Sequence, residues 1–191
     1  RPGSLAKDEI LYHQSRPADL LFQVQQGYLI THVMNPSRDV GLSIYGPGDI
    51  VGTPHPHTEY LDTAQAITPV TYVQVPNDGK HLHLLDAPKG QPVTTTSLLL
   101  ALLQRSQACN ARQGGTSHEA VRLLFEELLE RFSGEREGWF VKLDIPLTHQ
   151  HIAMLVNCTR ETISKTLADL REEGVLDNSR FPYGVNPDRL L

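Results

Sequence analysis

The chain has 191 residues, of which 39% are hydrophobic and 20% charged, so its composition is that of an ordinary globular protein. No apolar run approaches the roughly 20 residues that cross a bilayer, so we expect no membrane contact. No secretory signal is visible, and two cysteines cannot form a disulfide framework, so we expect a cytoplasmic protein. The formal net charge of −5 excludes a uniformly basic nucleic-acid-binding surface.

Residues 1–76 show the alternation and the turn signals of an all-β domain. The stretches 20–33 and 40–45 alternate apolar with polar side chains and are rich in β-branched residues. Turn-forming clusters interrupt them at short spacing, as at 46–49. Many short strands of this kind predict a sandwich, roll or barrel. Residues 77–93 are rich in Pro, Gly, Asp and Lys, and we interpret them as a connector.

Residues 94–113 predict a long helix with a wide apolar face. Leucines recur at i, i+1, i+4 and i+5, at positions Leu98, Leu99, Leu102 and Leu103. Such a face can pack on the β domain and on a second subunit at once, which predicts dimerisation. A helix buried within one subunit is the alternative. The Gln-Gly-Gly-Thr segment at 113–116 is interpreted as a linker.

A further helix is predicted after the linker. Ser117 is placed to cap it, Glu119 favours its first turn, and Gly134 lies just past its expected end. Its apolar residues follow the helical period and are interpreted as core: Val121, Leu124, Phe125, Leu128, Leu129 and Phe132. Residues 139–143 predict a short strand.

The stretch 147–176 predicts two helices joined by a short turn. Thr148 and Thr159 are good N-caps for the two helices. Asn157 tolerates the left-handed conformation that ends the first helix, and Gly174 is placed to end the second. Each cap stands inside a hydrophobic staple, and the two staples are Leu147 with Ile152 and Cys158 with Ile163. This pattern favours a helix-turn-helix over two ordinary surface helices.

The exposed side of the second predicted helix carries groups that can read DNA. Arg160 can bond O6 and N7 of guanine together, and Glu161 can accept from the N4 amine of cytosine. We predict base-reading positions at Arg160, Glu161 and Lys165, and DNA-backbone positions at Thr148, His149, Thr159, Ser164 and Arg180. Residues 175–177 and 183–185 predict a hairpin wing, with Arg180 near its tip for a phosphate contact.

The runs LTHQHIA, from Leu147, and CTRETISK, from Cys158, resemble the DNA-binding signature of the Crp/Fnr family of bacterial transcription regulators. The resemblance is strong over 144–176 and weaker, though traceable, over 5–52. It implies an α+β fold: an N-terminal β-roll (a cyclic-nucleotide-binding-like jelly roll) at 1–93, a long dimerisation helix at 94–113, and a C-terminal winged helix-turn-helix at 114–191. It also implies that Arg160, Glu161 and Lys165 are base-reading residues and that Thr148 and Thr159 contact phosphate.

The effector region departs from the family pattern. Members that bind cyclic AMP carry a Gly-Glu-Leu segment and, further on, an Arg-Ala pair. Here Gly52 is followed by Thr-Pro-His-Pro-His, and residues 61–66 read Leu-Asp-Thr-Ala-Gln-Ala. A cyclic phosphate without the arginine would lose its strongest charge-assisted hydrogen bonds, so we predict that cyclic AMP is not bound. The cofactor-binding residues, if the chain has any, stay unassigned.

Metal binding is also not predicted. Cys109 and Cys158 are too few to hold an iron–sulfur cluster alone. His-x-His pairs at 55/57 and 81/83 leave a metal site as an alternative, but surface histidines are the favoured interpretation because no cysteine or carboxylate cluster completes a ligand set.

These observations predict a homodimeric, sequence-specific transcription regulator that binds a palindromic operator in double-stranded DNA and contacts RNA polymerase. No cofactor is predicted, and whether a small effector of unidentified chemistry controls the protein through the β-roll is left open by the sequence. The alternative is a small-molecule-binding β-roll protein whose C-terminal helices mediate protein–protein contacts. An enzyme is not predicted, because no nucleophile–base pair, Gly-rich phosphate loop or paired carboxylates stand out.

Overall fold

A computed structural model of the chain describes residues 1–85, 93–179 and 181–190, which divide into two compact units, Arg1–Ser106 and Gln107–Leu191. The α+β class is confirmed. The strands are β1 (Pro2–Leu5), β2 (Ile10–Tyr12), β3 (Leu20–Gln26), β4 (Leu29–Val33), β5 (Val40–Tyr45), β6 (Ile50–Val51), β7 (Thr63–Ala66), β8 (Val70–Pro76), β9 (Ser133–Glu137), β10 (Phe140–Leu143) and β11 (Gly184–Val185). The helices are α1 (Thr95–Gln113), α2 (Ser117–Phe132), α3 (His149–Leu155) and α4 (Arg160–Glu172), and short 3₁₀ turns occupy Leu82–Leu84 and Pro187–Arg189.

The first unit consists of two four-stranded antiparallel sheets, with strand orders β1-β8-β3-β6 and β2-β7-β4-β5. Their apolar residues form a common core, in which Tyr12 stacks on Tyr60 with the ring centroids 3.8 Å apart. Gly27 begins the turn from β3 to β4 at a φ of 82°, where a Cβ would collide with the carbonyl of Pro69. The β-domain predicted for residues 1–76 is therefore confirmed.

The segment after β8 contributes to the core of this unit, which the sequence did not indicate. Leu82 and Leu85 are buried together with Leu98 of α1 and with residues of the β-sheets. The predicted connector at 77–93 is thus partly a packed element, although 86–92 lie outside the described residues. Arg105 of α1 donates to Asp49 at 2.8 Å and lies over the Tyr45 ring at 4.2 Å, so α1 is also attached by polar contacts.

The second unit begins inside α1, and it combines α2, α3 and α4 with a three-stranded antiparallel sheet of order β11-β10-β9. Val121, Leu124, Phe125 and Leu128 of α2 are buried, as predicted, whereas Leu129 and Phe132 are only half-buried. The strand predicted at 139–143 is confirmed as β10. No helix in the described parts of the chain is long and apolar enough to cross a membrane.

One of two local predictions around α2 is wrong. Thr116, not Ser117, is the N-cap, because its hydroxyl accepts from the Glu119 amide while the Glu119 carboxylate accepts from the Thr116 amide at 2.8 Å. Gly134 lies just past the end of α2, as predicted, because α2 ends at Phe132 and the chain passes directly into β9. A Cβ at Gly134 would come within 2.8 Å of the Asp144 carboxyl group, so close packing explains this glycine.

Candidate nucleic-acid interface

The predicted helix-turn-helix is confirmed as α3 and α4. The hydroxyl of Thr148 accepts from the His151 amide at 3.2 Å, and that of Thr159 accepts from the Thr162 amide at 3.2 Å, so both threonines are N-caps. Asn157 has a φ of 54°, and its left-handed backbone turns the chain between the helices. Gly174 ends α4 at a φ of 69°. Local chemistry therefore sets the ends of both helices.

The two sides of α4 have different roles. Ile163, Leu167 and Leu170 are completely buried and hold the helix against the rest of the unit. The opposite side exposes the polar residues of the first two turns, namely Thr159, Arg160, Glu161, Ser164 and Lys165. The three predicted base-reading residues therefore share one accessible face of α4.

His149 and Ser164, both predicted to contact the DNA backbone, are bonded to each other. The Nδ1 atom of His149 lies 2.9 Å from Oγ of Ser164. The same hydroxyl donates to the Arg160 carbonyl at 3.0 Å. This contact fixes the start of α3 beside the first turn of α4 and brings the predicted backbone contacts next to Arg160.

A cleft of 740 Å³ opens beside these residues. It is lined by Leu147, Thr148, His149, Gln150, Arg160, Arg171, Asn178 and Tyr183. Sequence reasoning missed Gln150, Arg171 and Asn178, because nothing in the helical or turn pattern distinguishes them from ordinary surface residues. The cleft combines hydroxyl, amide and guanidinium groups, which are the donors that bind phosphate oxygens.

The predicted wing is present. Leu176 forms a bridge with Val185, and the Asp177 amide donates to the Gly184 carbonyl at 2.9 Å. The second strand of this hairpin, β11, also pairs with β10 and so joins the wing to the sheet. Arg180, the predicted phosphate contact at the wing tip, lies outside the described residues.

The predicted dimerisation leucines divide into two groups. Leu98 is buried in the core of the first unit, and Leu102 is half-buried. Leu99 and Leu103 are 40% and 54% exposed. Leu100, which the sequence analysis did not select, is 54% exposed beside them. An apolar strip of α1 is therefore accessible in the single chain.

The first unit buries a polar pair formed by Tyr12 and Asp62. The Tyr12 hydroxyl donates to Asp62 at 2.9 Å, and both side chains are buried. Burial raises the pKa of Asp62, and the hydrogen bonds to this carboxyl offset part of that rise. On β4, which pairs with β7, His32 is buried, and its Nδ1 atom lies 3.5 Å from the Asp39 carboxylate.

The His-x-His pairs do not assemble a metal site in the described part of the chain. Nδ1 of His81 lies 2.8 Å from Asp78, and Nδ1 of His83 lies 2.9 Å from the Lys80 carbonyl. No group of three or more His, Cys, Asp or Glu side chains with a metal-binding arrangement occurs among the described residues.

Comparison with known proteins agrees with the helix-turn-helix seen in the structure. The model of the Crp-like helix-turn-helix domain matches residues 96–190. The chain is 28% identical over 186 residues to the CRP-like cAMP-activated global transcriptional regulator of Mycobacterium tuberculosis, a match that covers 91% of this chain and 79% of that protein. It is also 28% identical over 183 residues to the regulatory protein CysR of Synechococcus elongatus, covering 91% and 82% of the two chains.

Solved structures share the fold of the whole chain. FixK2 from Bradyrhizobium japonicum superposes with a TM-score of 0.80 at 22% identity, covering 99% of this chain and 93% of that one. A CRP-family transcriptional regulator from Thermus thermophilus has a TM-score of 0.73 at 24% identity, covering 96% and 91%. The chain contains the helix-turn-helix of this family, and the relatives described above are named as regulators and not as enzymes. It is therefore a transcription regulator of the Crp/Fnr family with a helix-turn-helix DNA-binding domain.

Proposed function

We propose that two copies of this chain bind a palindromic operator, each placing α4 in the major groove. The observation that carries this proposal is the joint exposure of Arg160, Glu161 and Lys165 on the first two turns of α4. Neither cation forms an ion pair within the described residues, so both are available for base edges. A recognition helix reads bases with the side chains of its N-terminal part, which is where these three lie.

The backbone contacts in this proposal surround α4. Thr148, His149, Thr159 and Ser164 lie at the starts of the two helices, close enough together that His149 and Ser164 are bonded. Hydroxyl and imidazole groups donate to phosphate oxygens and fix the register of the protein on the duplex. Arg180 stays a proposal from the sequence alone.

Dimerisation is proposed through α1. Leu99, Leu100 and Leu103 are each at least 40% exposed on one helix, and burying them against the same residues of a second copy would remove this apolar surface from water. A twofold dimer presents two recognition helices, which matches the symmetry of a palindromic operator.

The effector proposed for the β-roll is not cyclic AMP. One relative is named as cAMP-activated, but the stretch 61–66 of this chain, where the resemblance would place a phosphate-binding arginine, contains Asp62 and no arginine.

RNA polymerase is the proposed protein partner, and the cytoplasm the proposed location. Trp139, 71% exposed in the turn between β9 and β10, is the most exposed large apolar side chain among the described residues. Exposed aromatic side chains are enriched among the residues that dominate protein–protein interfaces.

The test begins with selection of bound duplexes from a random pool, which we expect to return a twofold-symmetric consensus. Arg160→Ala should then weaken consensus binding by about 5- to 150-fold, because a bidentate base contact contributes roughly 1–3 kcal/mol of discrimination. Arg136→Ala is the matched control, since Arg136 is an exposed arginine of the same unit on β9. Gel-shift titrations that give equal affinities for the wild type and Arg160→Ala would refute the proposal.

A further inference from the structure

The carboxylate of Asp177 accepts hydrogen bonds from several parts of the wing and from the sheet. Its Oδ2 atom accepts from Nζ of Lys142, on β10, at 2.6 Å. Its Oδ1 atom accepts from the amide of Ser179 at 3.2 Å, the hydroxyl of Ser179 at 2.5 Å and the amide of Gly184 at 3.1 Å. One side chain therefore joins the sheet, the loop and the return strand of the wing.

The electrostatics of Asp177 agree with a firmly held carboxylate. Burial raises its pKa, but the hydrogen bonds from Lys142, Ser179 and Gly184 outweigh burial, so the pKa lies below its ordinary value. Hydrogen bonds to an ionised carboxylate are stronger than those between neutral groups. A Cβ at Gly184 would collide with the carboxylate, which explains why this position is glycine.

A second anchor reaches the same loop from the recognition helix. Arg171, in the last turn of α4, donates from Nε to the Asp177 carbonyl at 3.2 Å and from Nη2 to the Ser179 carbonyl at 3.5 Å. The residues before and after Asn178 are therefore both fixed. Asn178 itself is exposed and lines the cleft that also contains Arg160 and Thr148.

We propose that Asn178 is a further contact to the DNA backbone and that Asp177 is the positioning residue that presents it. This inference rests on the proposed binding of DNA by α4. The amide group of Asn178 would donate to a phosphate oxygen on the strand that enters the cleft, beside the base-reading Arg160. Asp177 acts by fixing the loop, and it has no contact with DNA.

The contact has a distinct electrostatic signature. An asparagine amide is neutral and releases no counterion when it binds phosphate, unlike Lys or Arg. Its loss should weaken binding without changing the dependence of affinity on salt concentration. Loss of a cation at the same place would instead reduce the slope of log K against log salt by about one.

A double-mutant cycle tests both parts of the proposal. Full-length wild type, Asn178→Ala, Asp177→Ala and the double variant are titrated with the selected operator at two salt concentrations, with melting temperatures measured in parallel. Each single change should weaken binding about tenfold, the effect of one neutral hydrogen bond. The double variant should also lose about tenfold, because Asp177 acts through Asn178 and the two effects are not independent.

If Asp177→Ala does not fold, Asp177→Asn takes its place in the experiment. It keeps an oxygen acceptor for the loop, so we expect it to retain most of the operator affinity. A loss of about a hundredfold in the double variant would show independent effects and overturn the positioning role. Wild-type affinity in Asn178→Ala, or a salt slope lowered by it, would overturn the contact. A wild-type protein that selects no operator would instead overturn the proposed function itself.

Discussion

Replacing Arg112 with Ala is expected to destabilise the second unit strongly. Arg112, in the last turn of α1, is 2% exposed, and its Nη1 atom is paired with the carboxylate of Glu127 in α2. Its Nε atom donates at 3.3 Å to the carbonyl of Leu155, the last residue of α3. The guanidinium thus joins the end of α1 to α2 and to the first helix of the helix-turn-helix.

The size of the expected loss of stability follows from the charge that Arg112→Ala leaves without its partner. Removing one partner of a buried ion pair costs roughly 3–5 kcal/mol, because the other charge stays buried without compensation. Here Glu127 keeps Arg131 as a partner at 3.2 Å, so the lower end of about 3 kcal/mol applies. For a unit spanning Gln107–Leu191, this corresponds to a decrease of about 12–24 °C in melting temperature.

The assay is differential scanning calorimetry of the full chain, which separates transitions of different stability. The double variant Arg112→Met, Glu127→Met should recover much of the loss, since an apolar pair of similar size often replaces a buried ion pair without penalty. Arg136→Ala, on an exposed arginine, should change stability by less than about 0.5 kcal/mol. A loss below about 1 kcal/mol for Arg112→Ala, or no recovery in the double variant, would refute the reasoning.

Three further predictions concern pH, assembly and transcription. Burial lowers the pKa of His32, and the Asp39 carboxylate 3.5 Å away opposes this only partly, so the unfolded chain binds a proton at His32 more readily than the folded chain. The free energy of unfolding should therefore fall as the pH drops through about 6.5. Urea titrations of His32→Leu should show no such pH dependence. Leu103→Glu should convert dimers to monomers in sedimentation equilibrium, whereas Gln104→Glu, an equal charge at an exposed polar position, should not; a Leu103→Glu dimer would contradict the α1 interface. Trp139→Ala should weaken the binding of RNA polymerase to the operator-bound protein with operator affinity unchanged, and undiminished polymerase binding would exclude this turn as the polymerase contact.

The helix-turn-helix could be predicted closely because its signals are local. Thr148 bonds to His151 and Thr159 to Thr162, three positions away in each case, so the sequence alone contains both partners of each cap. The same proximity led to the error at α2, where Thr116 and Ser117 are adjacent and either hydroxyl could cap the helix. The capping box with Glu119 selects Thr116, since only Thr116 lies three residues before that carboxylate.

The polar networks could not be predicted because their partners are distant in sequence. Lys142 and Asp177 are 35 positions apart, and Arg112 and the Leu155 carbonyl are 43 apart. No periodicity or spacing rule connects such residues, and each resembles an ordinary surface charge until the fold brings them together. The interior of the β-roll is a similar case, because the Tyr12–Asp62 contact spans 50 positions.

The net charge of the chain is negative, which is unusual for a protein that binds nucleic acid. It is compatible with DNA binding because acidic residues of the second unit are paired with cations, as at Glu173 and Asp177. Glu173, at the end of α4, is paired with Arg122 at 2.7 Å and with His118 at 3.0 Å, and Asp177 in the wing is paired with Lys142. Arg160 and Lys165, at the other end of α4, have no ion-pair partner within the described residues. Screening by salt limits the range of each charge's field to about 8 Å at physiological ionic strength. A duplex at the start of α4 is therefore influenced more by these two cations than by the net charge of −5. A count over the whole chain therefore says little about the local potential that a DNA strand meets.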